Sequence, residues 1–134
     1  MWASLKKAMG SRWHAQRHED VLAQGIPDVS YGASGVQGWI ELKCLEAWPV
    51  RPDTVVKIDH LTQEQRAWLY LRGKAGGRTW LLLRVESTNT WLLFDHVRAW
   101  GMVGRLKQAD LRGVATKVWE PGIDADELAR AVSA

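Results

Sequence analysis

The stretch Val36–Leu45 constrains this chain more than any other part of its 134 residues. It reads as a β-strand, and successive side chains of a strand point to opposite faces. Glu41 and Lys43 therefore project from one side, while Ile40 and Leu42 face the other. The segment is otherwise apolar enough to be a buried central strand, where an unpaired charge is costly. A fold that buries this strand must supply partners for Glu41 and Lys43.

Asp28, in Gly25-Ile26-Pro27-Asp28-Val29, is the candidate partner. Asp28–Tyr31 reads as a second strand, joined to Val36–Lys43 by a glycine-rich turn through Gly32, Ser34 and Gly35. A tight connection of about a dozen residues folds Asp28 back beside Glu41. Two carboxylates brought that close repel, and the usual relief is a bound cation. Oxygen-only ligands favour a hard ion such as Mg²⁺ or Mn²⁺ over zinc. A lysine beside that pair suits phosphoryl chemistry, because the metal polarises a phosphate oxygen and activates a water. The lysine positions that water or offsets charge developing on the phosphate. Each residue also has a plainer reading. Asp28 after a proline is a turn residue by default, and Glu41 with Lys43 makes an ordinary solvated strand face.

Elsewhere the pattern predicts helices and strands in alternating blocks. Trp2, Leu5, Met9 and Trp13 share one helical face. That helix is kinked at Gly10–Ser11 or begins only at Ser11, and it ends near Gln24–Gly25, with Pro27 forbidding continuation. Thr54–Ile58 is a third short β-type run. Thr62 and Gln65 form a capping box for a helix over Gln63–Gly73. Arg78–Val85 and Thr90–Phe94 pair about a Ser87–Asn89 turn, Asp95 caps a further helix, and Asp124 with Glu127 caps a C-terminal one. The order is helix, three strands, helix, two strands, helix, a mixed α/β layout with a central sheet flanked by helices. No repeat or long linker divides the chain, so residues 1–134 read as a single domain.

Composition narrows the setting. Hydrophobic residues make up 46% and charged residues 25%, a globular balance. Net charge is +3 and the pI about 9.2, which permits a polyanionic partner. Cys44 is the one cysteine, so no intramolecular disulfide forms and a reducing compartment is expected. Met1–His14 lacks the apolar core of a signal peptide, and the apolar stretches around Trp80–Leu83 and Trp91–Phe94 are too short to span a membrane. A soluble, cytoplasmic protein is expected. Of the nine tryptophans, Trp68, Trp80 and Trp91 sit in periodic segments and are expected to pack a core or a subunit contact. One or two of the nine suit base stacking.

Pro27-Asp28 followed by Glu41-Leu42-Lys43 resembles the signature of the PD-(D/E)XK, or restriction-endonuclease-like, nucleases. The wider pattern is similar to their VRR-NUC and Holliday-junction-resolvase-like phage and bacterial branch. There an acidic residue on the first helix, here Glu19, precedes a G-[IV]-P-D-[VI] segment, and W-I-E-L-K stands intact at Trp39–Lys43. A T-x-x-Q-x-x-W-L motif follows at Thr62–Leu69. The resemblance covers about residues 12–94 and leaves 95–134 unassigned.

It implies an αβββαβ core and divalent-metal-dependent hydrolysis of DNA phosphodiesters by an endonuclease. Asp28, Glu41 and the Leu42 carbonyl would ligate Mg²⁺ or Mn²⁺, Glu19 would reach the metal directly or through water, and Lys43 would be catalytic. Gln65 would lie near the active site, although the capping box alone explains it. The resemblance also implies a homodimer and selectivity for branched or replicative DNA. The rivals are a nuclease acting on ordinary duplex or single-stranded DNA, and a non-catalytic DNA-binding or assembly subunit on the same fold. Arg12, Arg17, Lys57, Arg66 and Arg72 are candidate phosphate contacts. His14 and His18, one helical turn apart, form a solvent-facing pair rather than a zinc site, and His60 reads as a loop residue.

Overall fold

The computed structural model describes residues 1–18 and 25–134, with Arg12 by its backbone alone. Six strands form one mixed sheet in the order β1-β2-β3-β4-β5-β6: His14–Arg17, Val29–Ala33, Val36–Leu45, Arg78–Val85, Thr90–Asp95 and Lys117–Trp119. Neighbours run antiparallel except β3 and β4, which are parallel. A parallel pair needs a crossover, and helix α2, Gln63–Lys74, lies within it.

Local chemistry explains the joints. Ser34 and Gly35 both take positive φ, 53° and 78°, and they are the two residues between the paired ends Ala33 and Val36. That is the requirement of a two-residue type I′ hairpin, which matches the strand twist. Thr62 accepts from the Gln65 amide and Gln65 returns a side-chain oxygen to the Thr62 amide, the expected capping box. Asp95 caps α3, His96–Gly101, by accepting from the Arg98 amide.

The sheet is covered on both faces. On one, α1 (Trp2–Met9) and α5 (Ala125–Ser133) bury Leu5, Met9, Leu128 and Val132 against Ile40, Leu82, Trp91 and Leu93. On the other, α2, α3 and α4 (Gln108–Val114) bury Leu69, Ala99 and Leu111 against Leu81, Leu83, Leu92 and Phe94. Strand β4 is apolar toward both layers, as a strand sandwiched between helices should be.

Several expectations need correction. The helix through Trp13 stops at Met9, Gly10 turns the chain at φ 63°, and His14–Arg17 is a strand. Leu5 and Met9 still face the core, but His14 and His18 are not related by a helical turn. Strand β1 is a short polar edge strand with no alternation to announce it; its pairing with β2 decides its conformation. The expected helix end at Gln24 lies outside the described residues. Thr54–Ile58 is no strand: only a single bridge, Val55 to Lys107, forms there, while Val56 and Ile58 bury into the second core. The stretch beyond Phe94 adds α3, α4, β6 and α5, of which α4 and β6 were not anticipated. At α5 the capping box is half made: Asp124 accepts from the Asp126 and Glu127 amides, but the Glu127 carboxylate accepts instead from the Trp119 indole. Among the described residues no helix is long and apolar enough to cross a membrane.

Candidate active site

Strand β3 carries Glu41 and Lys43 toward the α2 layer. Register fixes this direction, because Glu41 pairs with Leu81 and Lys43 with Leu83, both in the second core. Asp28 stands just before β2, and its main-chain oxygen accepts from the His18 amide, which extends the β1–β2 ladder by one step. Its side-chain Oδ2 accepts from the Leu42 amide at 3.0 Å, so a backbone donor on β3 holds the carboxylate beside Glu41. The preceding Gly25 has φ 87°, and a Cβ there would stand 2.7 Å from the Glu64 carbonyl oxygen. Only glycine lets this segment turn so close to the start of α2.

Glu41 is 1% exposed, and among the described residues neither of its carboxylate oxygens accepts a hydrogen bond. Lys43 Nζ is 3.4 Å from Glu41 Oε1 and donates to the His60 carbonyl at 2.9 Å. Burial first, and then the Asp28 carboxyl, push the Glu41 pKa up to about 8 against the opposing pull of Lys43. Both observations have one origin. Two adjacent carboxyls can hydrogen-bond only through a proton on one of them, and among the described residues Glu41 otherwise has the Lys43 ammonium, an ion-pair partner at 3.4 Å. A hard cation in place of that proton would let both ionise, so the donor chemistry of Asp28 and Glu41 fits Mg²⁺ or Mn²⁺. Among the described residues no group of three or more His, Cys, Asp or Glu side chains stands at metal-ligating spacing. Glu19, expected as a further ligand, lies outside the described residues.

The other expected residues scatter. The Gln65 side-chain oxygen is committed to its cap. Arg66 donates to the Ala99 carbonyl at 2.8 Å and ties α2 to α3; burial pulls its pKa down. Arg17 pairs with Val29, so it points to the sheet face opposite Asp28 and Glu41. Lys57 is exposed on the loop before α2, and the Arg12 side chain lies outside what is described.

Sequence reasoning missed the aromatic flank of the site. Trp39, paired with Ser30, contacts the His18 ring at 5.1 Å and Trp68 at 5.3 Å. His18 Nε2 is 2.7 Å from Ser30 Oγ. Arg72 lies over Trp68 at 4.5 Å. Trp68 is thus partly exposed beside the site rather than a core residue, whereas Trp91 is buried as expected and Trp80 packs at the margin of the first core. Alternation along β3 could have placed Trp39 on the face of Glu41; Trp68 required the helix packing.

No protein-family model matches the sequence, and no curated protein matches it. Among solved structures the chain is similar to Hjc, a Holliday junction resolvase from the archaeal hyperthermophile Archaeoglobus fulgidus. The match has 15% identity and a TM-score of 0.55, and covers 92% of this chain and 88% of that one. At that identity it speaks for the fold. The chain has a mixed α/β, restriction-endonuclease-like fold.

Proposed function

We propose that this protein is a divalent-metal-dependent DNA endonuclease of the PD-(D/E)XK superfamily that hydrolyses phosphodiester bonds in branched or replicative DNA. The observation that carries the reading is Glu41, a buried carboxyl set against Asp28 and ion-paired with Lys43 on the central strand, with no hydrogen-bond donor among the described residues. A purely structural strand has no use for such a group, because a buried charge without good partners destabilises. The similarity to a resolvase favours branched DNA.

Asp28, Glu41 and the Leu42 carbonyl would hold Mg²⁺ or Mn²⁺, with Glu19 reaching it directly or through water. When bound, the ion supplies Lewis-acid polarisation of a phosphate oxygen. The Leu42 amide keeps Asp28 oriented, and the His60 carbonyl keeps the Lys43 ammonium beside the carboxylates. Lys43 then offsets charge developing on the phosphate. Within the superfamily the order of its motifs resembles that of the VRR-NUC and resolvase-like branch of phage and bacterial nucleases. Residues 1–134 act as one nuclease domain in the cytoplasm, and a homodimer suits cutting two strands.

The test is to incubate wild type and Lys43→Ala with four-way junction, flap, duplex and single-stranded DNA in Mg²⁺, Mn²⁺ or EDTA. Metal-dependent cutting, strongest on the junction and lost in the variant, supports the proposal. Preference for linear duplex or single strands would move the substrate assignment. Intact DNA in every tube, with DNA still bound, would leave a binding subunit.

A further inference from the structure

A groove of about 400 Å³ runs across the sheet face from β1 to β3, beginning at Ser30 and Trp39. These two residues pair with each other, two positions along from the Asp28 and Glu41 level, roughly 7 Å at a rise of about 3.3 Å per residue. The groove therefore lies beside the carboxylates on the same sheet face and does not include them. Its walls carry the exposed Arg72 and the half-buried Trp39. Arg72 is seated on Trp68, whereas Arg78 pairs with Gly38 toward the opposite face and donates from Nε to the Ala134 carbonyl at 3.3 Å. Trp39 is steadied by contacts with His18 and Trp68.

The floor is open because Gly32 has no side chain. Tyr31 points into the first core, so position 32 faces the groove. A Cβ at Gly32 would meet nothing within 4 Å, and its φ is not in the left-handed region. Glycine is thus not required there by the backbone or by packing. This contrasts with Gly38, where a Cβ would stand 2.4 Å from the Tyr31 hydroxyl.

We infer that this groove receives the DNA strand next to the scissile phosphodiester, with its backbone on Arg72 and one base against Trp39. The inference rests on the nuclease reading above and deepens it by naming where the substrate strand lies. A guanidinium beside an aromatic face is a combination that binds a single strand without reading its sequence. Volume near the lower end of the usual 300–1,000 Å³ range of binding sites suits a small part of a strand rather than a duplex.

The experiment is an anisotropy titration in EDTA with a fluorescently labelled single-stranded oligonucleotide and the matching blunt duplex. Wild type, Gly32→Phe, Arg72→Ala and Arg130→Ala are compared; Arg130 is on α5, across the sheet. Gly32→Phe fills the groove and is expected to weaken single-strand binding by at least about tenfold, the scale of one lost base stack. Arg72→Ala is expected to weaken it severalfold and to reduce the slope of log K against log salt by about 0.7, the single-strand value per phosphate. Arg130→Ala should bind as wild type. Thermal melting checks that Gly32→Phe is folded, and if it is not, the Arg72→Ala slope decides alone. Wild-type affinity and slope in both groove variants would overturn the assignment, and if the wild type still cuts DNA the nuclease reading survives that result. A wild type that neither binds nor cuts any DNA would sink both.

Discussion

Strands β3 and β4 lie side by side, run parallel and are buried alike, yet they are built on opposite principles. Glu41 pairs with Leu81 and Lys43 with Leu83, and these four side chains lie toward the same helical layer. Glu41 is 1% and Lys43 6% exposed, against 0% for each leucine. On β4 burial stabilises the fold directly through apolar contact. On β3 the same burial desolvates a carboxylate and an ammonium, which costs stability unless pairing is excellent. One strand holds the sheet together, and its neighbour holds a buried carboxyl and ammonium in place at a cost in stability.

The contrast can be broken from either side. Leu81→Ala should destabilise the protein by about 2–5 kcal/mol, the usual cost of a cavity in a packed core, read as a shift in denaturant midpoint. The double change Glu41→Leu with Lys43→Leu makes β3 resemble β4. It should leave metal-free stability unchanged or raise it by about 1–4 kcal/mol while abolishing cleavage. A marked loss of stability would show that the charged pair is a structural bond.

The same strand predicts a pH dependence. The Glu41 pKa rises from 4.5 to about 8 on folding, so between those values the folded form binds more protons than the unfolded chain. Stability should therefore fall as pH rises through that window, by up to about 1.4 kcal/mol per pH unit. This contribution is fully present below pH 4.5 and gone above about 8. Comparison of metal-free wild type with Glu41→Gln by denaturation isolates it, since the glutamine variant should lack that slope. Parallel curves for the two proteins would remove the claim. The smallest effect belongs to the scaffold that positions the loop carrying His60: Thr62→Ala should cost about 1 kcal/mol through loss of the α2 cap, with cleavage retained.

The contrast also explains what could be read in advance. Alternation on Trp39–Lys43, the Ser34-Gly35 turn, the capping box at Thr62 and Gln65 and the apolar run of β4 are local signals, and each is found where the residues place it. The convergence of Asp28 on Glu41 followed from the same hairpin. Strand β1 escaped because His14–Arg17 has neither apolar alternation nor β-branched residues; its structure is imposed by pairing. Strand β6 is three residues long and equally silent. Arg66 and Arg17 read as phosphate contacts by charge alone, but one is tied to the Ala99 carbonyl and the other faces away from the carboxylates. Which way a charged side chain points, or what it ties down, is decided by distant packing. The aromatic flank of Trp39 and Trp68 is likewise a tertiary contact between β3 and α2.

The central claim is that the buried carboxyl of Glu41, ion-paired with Lys43, exists to hold a cation with Asp28. Calorimetric titration of Mn²⁺ into wild type and Glu41→Gln, repeated in buffers of different ionisation enthalpy, measures it most directly. Wild type should bind Mn²⁺ saturably with net proton release below about pH 8, and Glu41→Gln should lose that binding. Absence of binding to wild type, or equal binding by both proteins with no proton released, would contradict it.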